Sequence, residues 1–349
     1  MVTTKRQDAR RGGAGHPTSD ASRSLSIAAR PIIEVDDLWR RFDEIEAVRG
    51  VSFTVAEGEV FGFLGPNGAG KTTTINMLCT LMRPSSGRAA INGFDVERER
   101  SDVRRSIGLV FQQSTLDEAL TAEQNLRFHA YAYGVPAGLR DRRIRELLML
   151  VELWERRGSR VRTFSGGMKR RLEIARGLVH APRVLFLDEP TLGLDPQTRR
   201  RIWEHLAELR ARDGITIFLT THYLDEAEQC DRIAVIDDGR IVALDTPSRL
   251  KSAVGGDTIT IATADGDAAA VELRSRYGVA PTVGDGEVSF HVVDGESFLP
   301  DFVRGFGQPL EAIGLRRPTL DDVFLNLTGH AIRDGRADAV APASTSPRR

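Results

Sequence analysis

The chain has 349 residues with 49 acidic side chains against 48 lysines and arginines, a formal net charge of −1. That balance gives no overall pull toward nucleic acid, and the length accommodates one large domain plus a small one with ample core. Cys79 and Cys230 stand far apart in no ligand spacing and read as reduced, buried thiols of a cytosolic protein. No apolar stretch approaches the roughly 20 residues that cross a bilayer, so any work at a membrane would go through a partner.

Residues 1–30 are rich in Gly, Ser, Ala and Arg, lack periodicity, and carry six basic against two acidic side chains. They read as a disordered basic tail, and the absence of an apolar run after Arg10-Arg11 argues against an export signal. From residue 32 to about 96 the pattern is strand-rich, with runs at 33–35, 51–55 and Val60–Leu64. The last run leads into Gly65-Pro66-Asn67-Gly68-Ala69-Gly70-Lys71-Thr72, which fits G-x-x-x-x-G-K-[ST]. A helix is expected over 72–82, with Ile75, Leu78, Cys79 and Met82 on one apolar face and Pro84 and Gly87 ending it. Residues 115–164 read as helical, at 122–133 and 140–153, and residues 165–250 alternate helix and strand as a parallel sheet does. Asp238-Gly239 between two apolar runs is a type I′ hairpin signal. After Gly255-Gly256 the texture changes. Strands at 258–262, 288–293 and 310–315 alternate with short helices at 268–277, 297–306 and 319–327, and a second tail follows over 332–349.

The Gly-rich loop between strand and helix is the strongest chemical signal. Its glycines let the backbone wrap a phosphate chain with N–H groups turned inward, and the helix N-terminus adds positive potential there. Lys71 would reach the β- and γ-phosphates of a nucleotide, and the Thr72 hydroxyl would bind Mg²⁺. The run Val184-Leu185-Phe186-Leu187-Asp188-Glu189 is a buried strand ending in two acids. There Asp188 could hold Mg²⁺ through water, and Glu189 could take a proton from a water attacking the γ-phosphate. Phe164-Ser165-Gly166-Gly167-Met168 opens another helix, with Ser165 suited to the N-cap and two glycines exposing backbone N–H groups as a second anion-binding surface. The adjacent Lys169, Arg170 and Arg171 read as a solvated helix face.

Together these residues resemble the ATP-binding-cassette ATPases, over residues 32 to about 250. The resemblance implies an α/β P-loop NTPase of ABC ATPase type at 31–250. It would have an antiparallel β subdomain and a helical subdomain near 115–164, followed by a small α+β accessory domain at 256–329. Ser165, Gly166 and Gly167 look like the signature motif, which in the family contacts the γ-phosphate held by the opposite subunit. Phe42 sits where the family places an adenine-stacking aromatic; it lacks a Tyr hydroxyl but keeps the stacking face. Gln112 resembles the glutamine that senses Mg²⁺ and the attacking water, with Gln113 the adjacent alternative. Asp195 resembles the loop coupling the two sites, and His222 the switch histidine at the γ-phosphate. Thr73 completes the nucleotide-binding stretch. Phe164 and Met168 depart from the family's commoner Leu and Gln.

The segment from Pro318 to Gly329 looks like the ending of daunorubicin-resistance-type ATP-binding subunits, a group that also shows Ser-Gly-Gly-Met and an appended C-terminal domain. This implies an ATP-hydrolysing subunit on the cytoplasmic face of the membrane, peripheral, driving a separate integral-membrane permease that exports a drug, antibiotic, lipid or other amphiphile. Two copies, or one copy and a homologue, would sandwich two ATP molecules with Mg²⁺. The alternative is a soluble cassette ATPase acting on a ribosome or nucleic-acid complex. Such proteins typically carry two cassettes or a long coiled-coil insertion, and this chain has neither, so no nucleic-acid partner is expected.

Overall fold

The protein is described from a computed structural model covering residues 31–284 and 286–330. The tails expected over 1–30 and 332–349 lie outside the described residues.

Period-two alternation of apolar side chains builds the first sheet. β1 (Pro31–Phe42) and β2 (Ile45–Ala56) pair antiparallel, with Val35 opposite Phe53 and Phe42 opposite Ile45. The third strand in sequence, β3 (Val60–Leu64), is buried along its whole length and belongs to a different sheet. After the Gly-rich loop comes α1 (Lys71–Leu78), then β4 (Ser86–Ile91) and β5 (Phe94–Asp95), which complete the first sheet in the order β2-β1-β4-β5. Helix α1 is shorter than the 72–82 expected. Cys79 caps it and Thr80 takes φ +62°, so Leu81 and Met82 turn back to the Asn76 carbonyl before Pro84 is reached. Its apolar face nevertheless packs inward: Ile75, Leu78 and Cys79 are buried, and Met82 lies against the same core.

Next come α2 (Arg100–Ser106), β6 (Ile107–Val110), and the helical excursion of α3 (Ala122–Ala132) and α4 (Ala137–Leu150). A capping box starts α3: the Thr121 hydroxyl accepts from Gln124 N–H and the Gln124 side chain accepts in return. Helix α5 (Gly166–Gly177) returns the chain to β7 (Val184–Asp188). Then follow α6 (Pro196–Asp213), β8 (Thr216–Thr221), α7 (Leu224–Ala227), β9 (Arg232–Asp237), β10 (Arg240–Asp245) and α8 (Pro247–Val254). The second sheet runs β10-β9-β3-β8-β7-β6, with only β10 antiparallel. Complete burial of β3, β7 and β8 matches a parallel sheet covered on both faces. Phe53 of the first sheet stacks on Phe61 at 5.4 Å, and Phe61 on Phe218 at 5.5 Å, which welds the two sheets into one core. The β9–β10 turn has Asp238 at φ +45° and Gly239 at φ +75°, the two left-handed residues a type I′ turn requires.

The third sheet is built from β11 (Asp257–Ala262), α9 (Gly266–Arg276), β12 (Thr282–Val283), β13 (Glu287–Val292), α10 (Gly295–Gly305) and β14 (Ala312–Arg316). Its order, β12-β13-β11-β14, is that of a ferredoxin-like split βαβ unit. Ile259, Ile261, Val288, Phe290 and Phe302 form its own core. The last helix, α11 (Leu320–Thr328), packs elsewhere: its Leu320, Val323 and Phe324 join Leu250 of α8 in the main core beneath the second sheet. The stretch that reads as one small unit therefore sends its final helix back onto the larger body.

Candidate nucleotide-binding and catalytic site

The C-terminal ends of β3, β6, β7 and β8 converge on a cavity of about 950 Å³. Such crevices at strand carboxyl ends are where open α/β sheets bind ligands. Asn67, Gly68, Gly70, Lys71, Thr72 and Thr73 line it, with Gln112, Glu189, Asp195 and His222. Gly65, Pro66 and Ala69 build the loop without lining the cavity. Gly70, the N-cap of α1, takes φ +101°, and a Cβ there would meet the Ala47 carbonyl at 2.5 Å. Only glycine closes this turn, which is why the loop tightens onto the start of α1.

Lys71 is buried and donates to the carbonyls of Gly65 at 2.7 Å and Pro66 at 3.0 Å. Its ammonium also stands 3.5 Å from a Glu189 oxygen. Burial pulls its pKa down, against the charge of Glu189. The Asp188 carboxylate accepts from Thr72 Oγ1 at 3.1 and 3.2 Å and from Thr220 Oγ1 at 2.6 Å. Burial pushes its pKa up, against those two hydroxyls.

Glu189 is the hub. Gln112 Nε2 donates to its Oε2 at 3.0 Å, while His222 Nδ1 and Lys71 Nζ lie 3.4 and 3.5 Å from its Oε1. Burial raises its pKa, but the hydrogen bond from His222 and the charge of Lys71 outweigh that and hold it below the usual carboxylate range. Its backbone sits at φ +46°, unusual for a glutamate. Thr220 Oγ1 holds that conformation by accepting from the Glu189 N–H at 3.0 Å. Four chain segments thus meet at one carboxylate.

Other expected residues lie elsewhere. Phe42 is a third exposed at the end of β1 and does not line the cavity; the Arg40 guanidinium covers its ring at 4.4 Å. Ser165 and Gly167 line a separate cavity of about 170 Å³ with Met168, Arg171, Gln197, Thr198 and Arg201. Ser165 is the N-cap expected, its hydroxyl accepting from Met168 N–H at 3.3 Å, and Gly166 begins α5. Phe164 is buried in the main core and Met168 packs against it, so both departures from the family's pattern fill apolar space. Asp195 lines the larger cavity but spends its carboxylate capping α6, accepting from Thr198 N at 3.0 Å and Thr198 Oγ1 at 2.6 Å.

The basic run after the signature is not a solvated face. Arg170 is buried and donates to backbone carbonyls beneath the site, Lys169 pairs with Glu118, and Arg171 pairs with Glu152. Sequence reasoning also missed Thr220, although a hydroxyl closing a buried strand beside two acids is a readable signal. It missed the Arg199 guanidinium, 4.2 Å over the Tyr223 ring at the cavity's edge.

Chemically, the arrangement offers a helix N-terminus and an ammonium for phosphate oxygens, and a carboxylate held by a histidine, an amide and a lysine. Residues 48–192 match the family model described as ABC transporter. The chain is 42% identical over 322 residues to the daunorubicin resistance ATP-binding protein DrrA2 of Streptomyces coeruleorubidus, covering 88% of this chain and 98% of that one. It is 38% identical to the linearmycin resistance ATP-binding protein LnrL of Bacillus subtilis, covering 87% and 100%. Among solved structures it is similar to the dimeric bacterial ABC transporter cassette MJ0796, with TM-score 0.57 and 30% identity over 61% of this chain and 98% of that one. The chain belongs to the ABC transporter family, as an ATP-binding and ATP-hydrolysing member of it.

Proposed function

We propose that this ATPase powers a separate integral-membrane permease from the cytoplasmic face of the membrane, as a peripheral subunit, and that the permease exports a drug, an antibiotic or another amphiphile. Relatives named for resistance to daunorubicin and linearmycin support the substrate class. Among the described residues no helix is long and apolar enough to cross a membrane.

In this reading Glu189 is the general base that takes a proton from the attacking water, and His222 and Gln112 orient it toward the γ-phosphate. Lys71 and the loop from Gly65 to Thr73 hold the phosphates. The hydroxyl of Thr72 and the carboxylate of Asp188, already within 3.2 Å of each other, are hard oxygen donors of the kind Mg²⁺ takes; Gln112 lines the same cavity as Thr72. Mg²⁺, when bound there with ATP, would neutralise charge on the β- and γ-phosphates. Phe42 would stack on adenine with the ring face that Arg40 leaves open.

The observation that carries the reading is the separation of the two anion-binding surfaces. Lys71 lines one cavity and Ser165 another, so a signature serine completes a nucleotide site in a second copy or a homologue. Asp195, in the loop between them, would couple the two sites. Paired cysteines at positions 67 and 166 test this, because the native Cys79 and Cys230 are buried. Crosslinking between chains that requires ATP is expected. Crosslinking within one chain, indifferent to ATP, would refute the two-chain arrangement.

A further inference from the structure

The Arg170 guanidinium reaches the chain on both sides of the catalytic strands. Its Nε donates to the Pro190 carbonyl at 2.6 Å, and its Nη2 to those of Asp188 at 2.9 Å and Glu189 at 3.1 Å. Its Nη1 donates to the Phe111 carbonyl, immediately before Gln112, and to Glu173 Oε2 at 3.2 Å. Glu173 in turn accepts from the Thr115 N–H at 2.9 Å. One turn further on, Arg176 Nη1 donates to the Thr115 carbonyl at 2.8 Å. Residues 170, 173 and 176 are spaced by three and share a face of α5. The residue before Gln112 and the strained backbone of Glu189 are thus both tied to one guanidinium. A close backbone approach supports this: a Cβ on Gly108 of β6 would meet the Gly177 carbonyl at 2.2 Å, so α5 lies hard against that strand.

We infer that Arg170 and Glu173 are positioning residues that hold the Glu189 carboxylate and the Gln112 amide in register, and that they link this register to the start of α5, where Ser165 would engage the partner's nucleotide. The inference rests on the reading of Glu189 as the base. A bidentate-capable guanidinium suits the task, because one rigid fork spans carbonyls from two strands. Arg170 itself does not line the cavity.

The test is a double-mutant cycle in the full chain, read by single-turnover hydrolysis at saturating ATP and by the Kd of a fluorescent ATP analogue. Arg170→Met should lower the rate about 10–100-fold, because misplacement near 1 Å typically costs about 10²-fold, and should change Kd less than about 3-fold. In a Glu189→Gln background the same substitution should change the rate less than about 3-fold, because the base against which Gln112 is held in register is gone. Glu173→Gln, which retains an acceptor for Thr115, should give a smaller loss of the same pattern. If Arg170→Met does not fold, Arg170→Lys keeps the charge without the fork and carries the same comparison. Equal losses in both backgrounds, a parallel rise in Kd, or a wild-type rate would each overturn the inference. If Glu189→Gln alone leaves hydrolysis unchanged, the base assignment fails and the inference falls with it.

Discussion

Removing the Lys71 charge probes the site at its most buried cation. Lys71→Met keeps most of the aliphatic stem, so the pocket stays filled while the ammonium is lost. That ammonium faces Glu189 at 3.5 Å and two carbonyls at 2.7 and 3.0 Å. A unit charge pair at 3.5 Å and an effective dielectric near 20 is worth roughly 5 kcal/mol. A γ-phosphate would replace Glu189 as the partner of an already desolvated lysine, so the net gain would be the difference between two such terms. Loss of one preorganised donor to a developing charge typically costs about 10²–10³-fold in turnover, near 3–4 kcal/mol. Phosphate release at saturating ATP should fall at least that far, and ATP affinity should fall with it. The readout is a coupled phosphate assay together with equilibrium binding. Release within a few-fold of wild type would refute the assignment of the loop.

Two further outcomes follow from the packing. Phe324→Ala should destabilise the nucleotide-binding body by about 3–5 kcal/mol, because Phe324 is buried in the main core; a denaturant midpoint unchanged from wild type would show that α11 contributes nothing there. Burial and the nearby Arg176 pull His129 down to about 4. The unfolded chain binds that proton first, so stability present above about pH 6.5 should be lost as pH falls toward 4, by about 1–2 kcal/mol after allowance for partial exposure. His129→Gln should flatten unfolding free energy against pH over that window, and an unchanged slope would contradict it.

The phosphate loop and the Asp188-Glu189 pair were legible because their chemistry demands fixed residue types at fixed spacing within one segment. The Asp238-Gly239 hairpin was legible because left-handed backbone at two positions selects those residues. Features made by distant segments were not. Three consecutive basic residues after the signature look solvated, and Arg170 is buried only because the ends of β6 and β7 arrive beside α5 with free carbonyls. The apolar face of α11 says that it buries something, but not that the cover is α8 rather than the neighbouring third sheet. Position 42 invites a stacking role by its place in the motif order; the ring's contact with Arg40 is local, because residues two apart on one strand share a face.

Glu189, in this mechanism, activates water inside a clamp closed by ATP. Glu189→Gln preserves size and the contact with Gln112 while removing basicity. Size-exclusion chromatography with ATP and Mg²⁺, paired with phosphate release on the same sample, reads both the clamp and the chemistry. Hydrolysis should fall about 10²–10⁴-fold with ATP affinity retained, and a dimer should accumulate because the step that opens it is blocked. A monomeric variant that hydrolyses ATP at the wild-type rate would contradict it.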